Sequence, residues 1–322
     1  MTTTTLTLSE RLRPFLYEVT VAEDGLSAAL GGHRIEGDSA TECRGALADA
    51  LYEQLHAGLP PDGGPRPKSL RHPCTEAALA AVVPHERTPR TVEVVADETD
   101  RLIVRLDGIR VAVARDSDAV EEVSEGRASL RLPAARPALS QGFFLVDGSR
   151  GRPVSGPLLR FYAHVTEVAH MADVWRIALE FLEGLGVPYQ AKALSNPSLY
   201  PRRDALVVYL GAEARQAIGG LVGALDPLPG LGATTSPFAR ELSPGLSVAW
   251  EPADPRPGNA GLSFGQHRAK ALAEGLFAAR AQPDAVRLTC LAEALLAAGV
   301  DPAEPYRNTD SPLLTLTAPE GQ

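Results

Sequence analysis

Residues 158–210, LLRFYAHVTEVAHMADVWRIALEFLEGLGVPYQAKALSNPSLYPRRDALVVYL, carry the clearest secondary-structure pattern in the chain. Two short apolar runs have the length of buried strands, and the longer segment between them repeats its apolar residues at helical spacing before a glycine. The sequence therefore predicts, in order, a strand (158–165), a helix (170–186), an extended piece (187–196), a turn (197–204) and a strand (205–210).

The first of these strands is predicted to place its polar side chains on one face. Arg160, Tyr162 and His164 alternate with apolar residues, and side chains two apart in an extended chain point the same way. The other face is then left for the core. Lys192 follows in an uncharged segment, and the pair 202–203 of arginines opens the second strand.

Outward from this stretch, the flanking sequence predicts an α+β protein. Residues 1–90 are predicted to be mainly helical, with Asp38 and Ser39 as candidate caps of one helix. Residues 91–147 alternate apolar and polar residues around the turn dipeptide 107–108, which predicts strands. Downstream, 219–259 is predicted to be rich in loops and to contain an ordered but irregular crossing at 234–252. We expect a mixed or antiparallel sheet flanked by helices, with a division into 1–90 and 91–322.

One downstream helix has a clear start signal. Ser263 is placed as its cap and Gln266 falls at the capping-box position. His267 and Arg268 then lie in the first turn, where free backbone N–H groups favour an anion.

Composition limits the partners. The chain has 322 residues and a formal net charge of −9, which argues against the basic surface of a nucleic-acid binder. Its three cysteines are scattered, so neither a zinc site nor a disulfide framework is indicated. The N-terminus lacks a secretory pattern and no segment is apolar enough to cross a bilayer. We expect a cytoplasmic protein with no nucleic-acid or membrane partner.

Common cofactor and hydrolase motifs are absent. The sequence contains no GxGxxG, GxxxxGK[ST], HExxH or GxSxG pattern, so no metal or organic cofactor is predicted.

Each candidate residue, taken alone, has a structural interpretation as well as a functional one. Lys192 could be a general base, since desolvation and nearby cations can lower a lysine pKa, or it could be a surface lysine. His164 could be an acid or a strand histidine satisfied by a local hydrogen bond. Four arginines could clamp a phosphate or pair with surface acids: Arg160, Arg202, Arg203 and Arg268.

Four blocks together resemble a known family. The blocks are GFFLVDG (142–148), LLRFYAH (158–164), VPYQAKALSNPSLYPRRDALVVYL (187–210) and GLSFGQHRAKALAEGL (261–276). They resemble the HopA-type effector family over about residues 135–310. That family is named for a bacterial type III secreted effector and includes HopA-like subunits of class V lanthipeptide synthetases and thioamitide pathways.

The resemblance implies a lyase. In those pathways a separate kinase-like partner phosphorylates Ser or Thr of a ribosomally made precursor peptide. The HopA-like subunit then eliminates phosphate to leave dehydroalanine or dehydrobutyrine, without a cofactor.

More remotely, the layout is similar to the phosphothreonine lyases, which implies roles for particular residues. Lys192 matches the base, Arg203 or else Arg202 the phosphate arginine, and Tyr209 a strand tyrosine.

The acid depends on a two-residue register. The match is either Arg160 with Tyr162 or Tyr162 with His164, and we prefer His164 because imidazolium is the better acid near neutrality. Gly211 stands where the lyases have a second lysine, so phosphate binding would lean on Arg160 or Arg268.

Two other readings stay open. The chain could be a non-catalytic HopA-like module that binds the peptide or the kinase, or a host-directed type III effector. Convergence of Lys192, His164 and at least two arginines on one pocket would favour the lyase.

Overall fold

Antiparallel pairing is the rule throughout residues 7–60, 69–154 and 156–314, which are the residues that the computed structural model describes. The helices there are α1 (Arg13–Leu16), α2 (Ala40–Leu51), α3 (Pro73–Ala81), α4 (Val168–Leu185), α5 (Ala217–Leu225), α6 (Phe264–Ala278) and α7 (Asp284–Ala297). The strands are β1 (Val19–Val21), β2 (Ser27–Leu30), β3 (His33–Glu36), β4 (Arg87–Asp97), β5 (Arg101–Leu106), β6 (Ile109–Ala114), β7 (Val120–Ser124), β8 (Arg127–Pro133), β9 (Ala135–Ser140), β10 (Phe143–Asp147), β11 (Leu159–Val165), β12 (Tyr189–Leu194), β13 (Arg202–Leu210), β14 (Arg240–Ser243) and β15 (Leu246–Trp250). The predicted α+β class is confirmed.

The strands form three sheets. The largest has seven strands in the order β14-β15-β11-β13-β12-β10-β9, the second has the order β6-β5-β4-β8-β7, and the third is β1-β2-β3. Strands β11, β13 and β12, all from the 158–210 stretch, lie side by side in the middle of the largest sheet. The segment that suggested the fold therefore forms its centre.

Helix α4 covers one face of this sheet. Its apolar residues recur at intervals of three and four, and Trp175 packs edge-on against Phe144 of β10 with ring centroids 6.4 Å apart. Gly186 ends the helix at a φ of 63°, a left-handed conformation that costs glycine little.

The opposite face lies against α2 and α6. Helix α2 begins at Ser39, whose side chain accepts a hydrogen bond from the Glu42 amide, and continues as a π-helical turn over Tyr52–Ala57. Helix α6 begins at Ser263 with the predicted capping box. From these two helical segments His56 and Phe264 contact the ring of Tyr162 on β11.

The five-stranded sheet has a small core of its own. Val92, Leu102, Val104, Ala128 and Leu130 are buried together, apart from the main core. Its hairpin β5–β6 turns at Asp107 and Gly108, both with positive φ, as expected for a two-residue primed turn.

The sequence pattern did not predict two elements with short strands. The N-terminal portion contains the sheet β1-β2-β3 beside its helices, and the region expected to cross irregularly forms the hairpin β14–β15. Strands of three to five residues show too few alternations to be recognised by period. None of the described helices is long and apolar enough to cross a membrane.

Truncating α4 at its buried face should destabilise the protein. Leu179 is fully buried, so Leu179→Ala removes packed methyl groups and leaves a cavity, and we expect a loss of about 2–5 kcal/mol in the free energy of unfolding. Urea denaturation followed by circular dichroism measures it. The matched control is Leu185→Ala on the same helix, where the side chain is 48% exposed and a change below about 0.5 kcal/mol is expected.

Candidate functional site

Strand register sets one face of the central sheet. Arg160 of β11 lies directly opposite Tyr209 of β13, which lies opposite Gln190 of β12. One step along, Tyr162 and Lys192 both lie opposite Val207. Residues directly opposite one another in an antiparallel pair point to the same face, so these side chains share one surface.

A pocket of about 330 Å³ opens on this face. The sheet contributes Arg160, Lys192 and Tyr209, and β9 contributes Ser140 at one side. The rest of the lining is a loop and the start of α6: Glu251, Pro252, Asp254, Asn259, Ala260, Gly261, Leu262, Ser263 and Gln266. Three of the predicted site residues thus meet at the amino end of a helix.

Lys192 is held by aromatic rings. Its ammonium lies 4.3 Å from the ring centroid of Phe143 and 5.9 Å from that of Tyr209. Within residues 7–60, 69–154 and 156–314 it makes no hydrogen bond or ion pair. A ligand in the pocket could therefore take up its three donors without breaking an existing contact.

Arg160 has a carboxylate partner that the sequence did not reveal. Its Nε and Nη2 both donate to Glu251, and its guanidinium lies 5.0 Å from the ring centroid of Tyr209. Burial alone lowers the Arg160 pKa, but Tyr162, Tyr209 and the Glu251 carboxylate outweigh it and raise that pKa above its ordinary value. Glu251 directly follows β15, and only the pairing of β15 with β11 brings it near.

Tyr162 lies beneath the pocket. It is 2% exposed, does not line the cavity, and its hydroxyl has no hydrogen-bond partner among the described residues. Burial raises its pKa well above that of an exposed tyrosine, so it stays a neutral phenol.

His164 lies outside the pocket. Pairing of β11 with β13 shifts register beyond Ala163: Ala163 lies opposite Leu206 and Val165 lies opposite Arg202, so the extra residues are in β13. Its Nδ1 lies 2.9 Å from the Thr234 carbonyl oxygen, and burial lowers its pKa. The preferred acid is thus not brought to Lys192.

Arg202 and Arg203 are also engaged elsewhere. Arg202 donates to Asp204 at 2.7 Å and to the Tyr52 hydroxyl at 2.8 Å. Arg203 donates to the carbonyl oxygens of Gln54 and Leu55, at 3.2 and 3.1 Å, near the end of the π-helical turn. Both tie β13 to the α2 segment, and neither lines the pocket.

His267 and Arg268 lie behind the pocket wall. Arg268 is fully buried and donates to the Pro305 carbonyl, to Asn308 Oδ1 and to His267 Nδ1. Since arginine only donates, the His267 proton is on Nε2, which donates to Asp254 at 2.9 Å. The pair therefore fixes Asp254, which does line the cavity.

Arg268 is a buried cation with no ion pair among the described residues. Burial lowers its pKa to about 9, so it remains charged at neutral pH. Lying close to Tyr162 and Arg160, it adds positive potential beneath the pocket without touching its contents.

His56 is a further buried group that the sequence did not single out. Its Nδ1 lies 3.2 Å from Ser236 Oγ and its Nε2 lies 3.7 Å from Asp204 Oδ2. These contacts join the helical segment of His56 to Asp204 of the central sheet and to Ser236. No group of three His, Cys, Asp or Glu side chains suited to a metal occurs in the same residues.

The pocket can bind an anion and move a proton. Lys192 offers a cation or, when neutral, a base, Tyr209 a phenolic hydroxyl, and Arg160 a guanidinium, all beside the first turn of α6. The fold and site thus define an antiparallel α+β protein with a small polar pocket on its central sheet.

The family follows from comparison with known proteins. The chain matches the HopA1 effector protein family over residues 134–307, more than half its length, and therefore belongs to that family. The predicted family is confirmed. No curated protein was found to match the chain.

Two solved structures are similar. The effector protein from Pseudomonas syringae pv. tomato strain DC3000 is 17% identical, with a TM-score of 0.48 over 82% of this chain and 90% of that one. The effector protein from Pseudomonas syringae pv. syringae strain 61 is 18% identical, with a TM-score of 0.43 over 75% and 85%.

Two buried histidines should make the fold sensitive to acid. Burial lowers the pKa of His56 and of His267 from 6.5 to about 4, so between these values the unfolded chain binds protons that the folded chain does not. Stability then falls as the pH drops from about 7 to about 4. Urea denaturation at pH 7.5, 6 and 5 measures the slope.

Replacing one of the two buried histidines should reduce the dependence of the unfolding free energy on pH. We expect His267→Gln to reduce it by up to about 1.4 kcal/mol per pH unit, the contribution of one proton. His33→Gln, at an exposed position, should leave the slope unchanged. A His267→Gln slope equal to that of the parent protein would contradict the buried neutral histidine.

Proposed function

We propose that this protein is a phosphoserine or phosphothreonine lyase that acts on a kinase-phosphorylated precursor peptide. The observation that carries the proposal is Lys192, whose ammonium has no ionic partner in the described chain and faces a pocket shared with Arg160 and Tyr209. Membership of the HopA1 family agrees with the lyase resemblance seen in the sequence but does not itself assign a reaction.

The elimination needs three functions. A base removes the Cα proton, the electron pair of that C–H bond forms the Cα=Cβ double bond, and the Cβ–O bond breaks so that phosphate leaves with its oxygen. Fixed cations stabilise the charge that builds on the leaving group, and an acid can supply a proton to it.

The pocket offers a group for each function. We assign Lys192, in its neutral form, as the base. Arg160 and the start of α6 at Ser263 would hold the phosphate, with the buried charge of Arg268 behind them. Tyr209 lies against both Arg160 and Lys192 and would donate to the leaving oxygen.

Glu251 shapes how phosphate would bind. It occupies Nε and Nη2 of Arg160, which leaves Nη1 with no hydrogen bond among the described residues. A phosphate would then bind Arg160 through one nitrogen while Glu251 fixes the guanidinium against the Tyr209 ring. A separate kinase-like subunit would supply the phosphorylated peptide.

A second candidate is a peptide- or kinase-binding module without chemistry, including a host-directed effector. The observation that favours it is the incomplete convergence: Lys192 and Arg160 share the pocket, whereas His164, Arg202 and Arg203 are engaged elsewhere. The two candidates differ in whether a phosphopeptide loses phosphate.

Removing the proposed base should abolish elimination. A phosphothreonine peptide carrying the cognate leader, incubated without metal or nucleotide, should lose the mass of one phosphoric acid with the parent protein. Lys192→Ala should lower this rate by 100-fold or more, since a positioned base contributes about 10²–10⁴-fold. Mass spectrometry over a time course measures both rates.

Lys192→Arg separates a base from a cation, because it keeps the charge but cannot lose its proton. We expect it to bind the phosphopeptide and to remain inactive. Arg176→Ala, on the exposed side of α4, is the control and should keep the parent rate. Unchanged elimination by Lys192→Ala would refute the lyase mechanism, and no elimination by the parent protein would favour the binding module.

The acid can be tested in the same assay. Tyr209→Phe removes only the hydroxyl and should lower the rate about tenfold or more, whereas His164→Gln should change it less than about threefold. The reverse order would restore His164 as the acid and imply that the end of β11 rearranges when peptide binds.

A further inference from the structure

A second and larger cavity lies away from the pocket, between the five-stranded sheet and the segment that follows β10. It has a volume of about 480 Å³. Its lining is unusually rich in arginine: Pro89, Arg90, Thr91, Val92, Arg105, Leu106, Asp107, Arg150, Gly151, Arg152, Val154, Pro188 and Glu213. We call this cavity the arginine cleft.

One carboxylate serves three guanidinium groups there. Asp107, at the tip of the β5–β6 turn, accepts from Arg90, from Arg152 at 2.7 Å and from Arg136 at 3.5 Å. Arg136 also donates to the buried carboxylate of Asp147. Positive charge at this point exceeds what its own acids neutralise.

The neighbouring residues add to the excess. Arg150 is exposed and makes no ion pair with any residue that the structure describes. Arg105 is neutralised by Glu93 at 2.9 Å, which leaves Glu213 as the other acid in the lining. Four guanidinium groups (Arg90, Arg136, Arg150 and Arg152) therefore face three carboxylates (Asp107, Asp147 and Glu213).

Burial and the neighbouring cations lower the pKa of Arg90, the most buried arginine of the cleft. Arg90 is 8% exposed, and burial together with the charges of Arg152 and Arg136 lowers its pKa. For Asp107, burial raises the pKa, but Arg152 and Arg90 outweigh it and the net direction is downward. A further carboxylate entering the cleft would relieve this repulsion and find forked donors already held in place.

We propose that the arginine cleft binds an acidic segment of a peptide. Guanidinium forks match carboxylates in geometry, and Val154, 90% exposed at the rim, offers an apolar contact for a neighbouring side chain. The cavity is large enough for a few side chains. With an overall charge of −9, the protein would repel a long polyanion such as a nucleic acid from all but this local patch.

The cleft is joined to the pocket by polar contacts on one sheet face. Arg136 binds Asp147, and Asp147 accepts from Gln190, which lies opposite Tyr209. Adjacent strands are about 4.8 Å apart, so Asp147 on β10 is about 10 Å from Tyr209 on β13. An extended peptide covers that distance in about three residues.

That spacing specifies the substrate, and this step rests on the proposed function. The acidic residues would lie about three to five positions from the phosphorylated Ser or Thr. Binding of the acidic segment itself does not require the lyase activity, so the two can fail separately. The family match begins at residue 134, so strands β4 and β5 supply one wall of the cleft from outside the matched segment.

Binding can be measured with an unphosphorylated probe. We would use a fluorescein-labelled twelve-residue peptide with four glutamates, and the same peptide with glutamines, in fluorescence anisotropy with the full chain. The glutamate peptide should bind at least tenfold more tightly. The double variant R150E and R152E should weaken it by tenfold or more.

The matched control reverses two exposed arginines of the same sheet that lie outside the cleft, R110E with R127E, and should change the affinity less than twofold. Far-ultraviolet circular dichroism verifies folding of each variant. Equal affinity for the glutamine peptide, an equal loss in the control, or tighter binding of a twelve-nucleotide single-stranded DNA would each overturn the proposal. If the parent protein binds the glutamate peptide but does not eliminate phosphate from the phosphopeptide, only the lyase proposal is contradicted.

Discussion

The antiparallel register of β11, β13 and β12 determines which side chains face the pocket and which face α4. It sets Arg160, Tyr209 and Gln190 in one row across three strands and places Lys192 in the next row. Shifting any one strand by a single residue would turn its polar side chains to the face covered by α4. The hydrogen-bond ladder therefore determines both the fold and the composition of the pocket.

Charged groups inside this sheet are stabilised in two ways. Arg160 is neutralised by Glu251, which is distant in the chain. Arg202 is neutralised by Asp204, two residues along the same strand. Arg268 instead relies on neutral acceptors, so its charge is not cancelled locally. A buried pair adds little net stability, but an uncancelled cation beneath a pocket creates the field that an anionic ligand requires.

The two cavities have different characters because of where their charges come from. In the pocket, Lys192 and Arg160 are separated by the Tyr209 ring, which limits their repulsion. In the arginine cleft, guanidinium groups from the five-stranded sheet, β9 and the segment after β10 crowd around Asp107. The first arrangement suits one small anion, and the second suits several carboxylates in a row.

Much of the local structure could be predicted, because it depends on neighbours in the chain. The helix start at Ser263, the turn at Asp107 and Gly108, and the strands and helix of 158–210 each carry their own signal in capping, turn or periodic residues. The β1-β2-β3 sheet and the β14–β15 hairpin could not be predicted, because their strands are too short for a period to show.

The α+β class and the family could be predicted from the residues alone, and Arg160, Lys192 and Tyr209 were among nine candidate site residues. The folded chain shows in addition that these three share a pocket, that Glu251 joins them, that Arg268 lies buried behind them, and that His164 lies apart. These relations depend on strand pairing and on contacts between residues distant in the chain. No local pattern of residue types records such contacts.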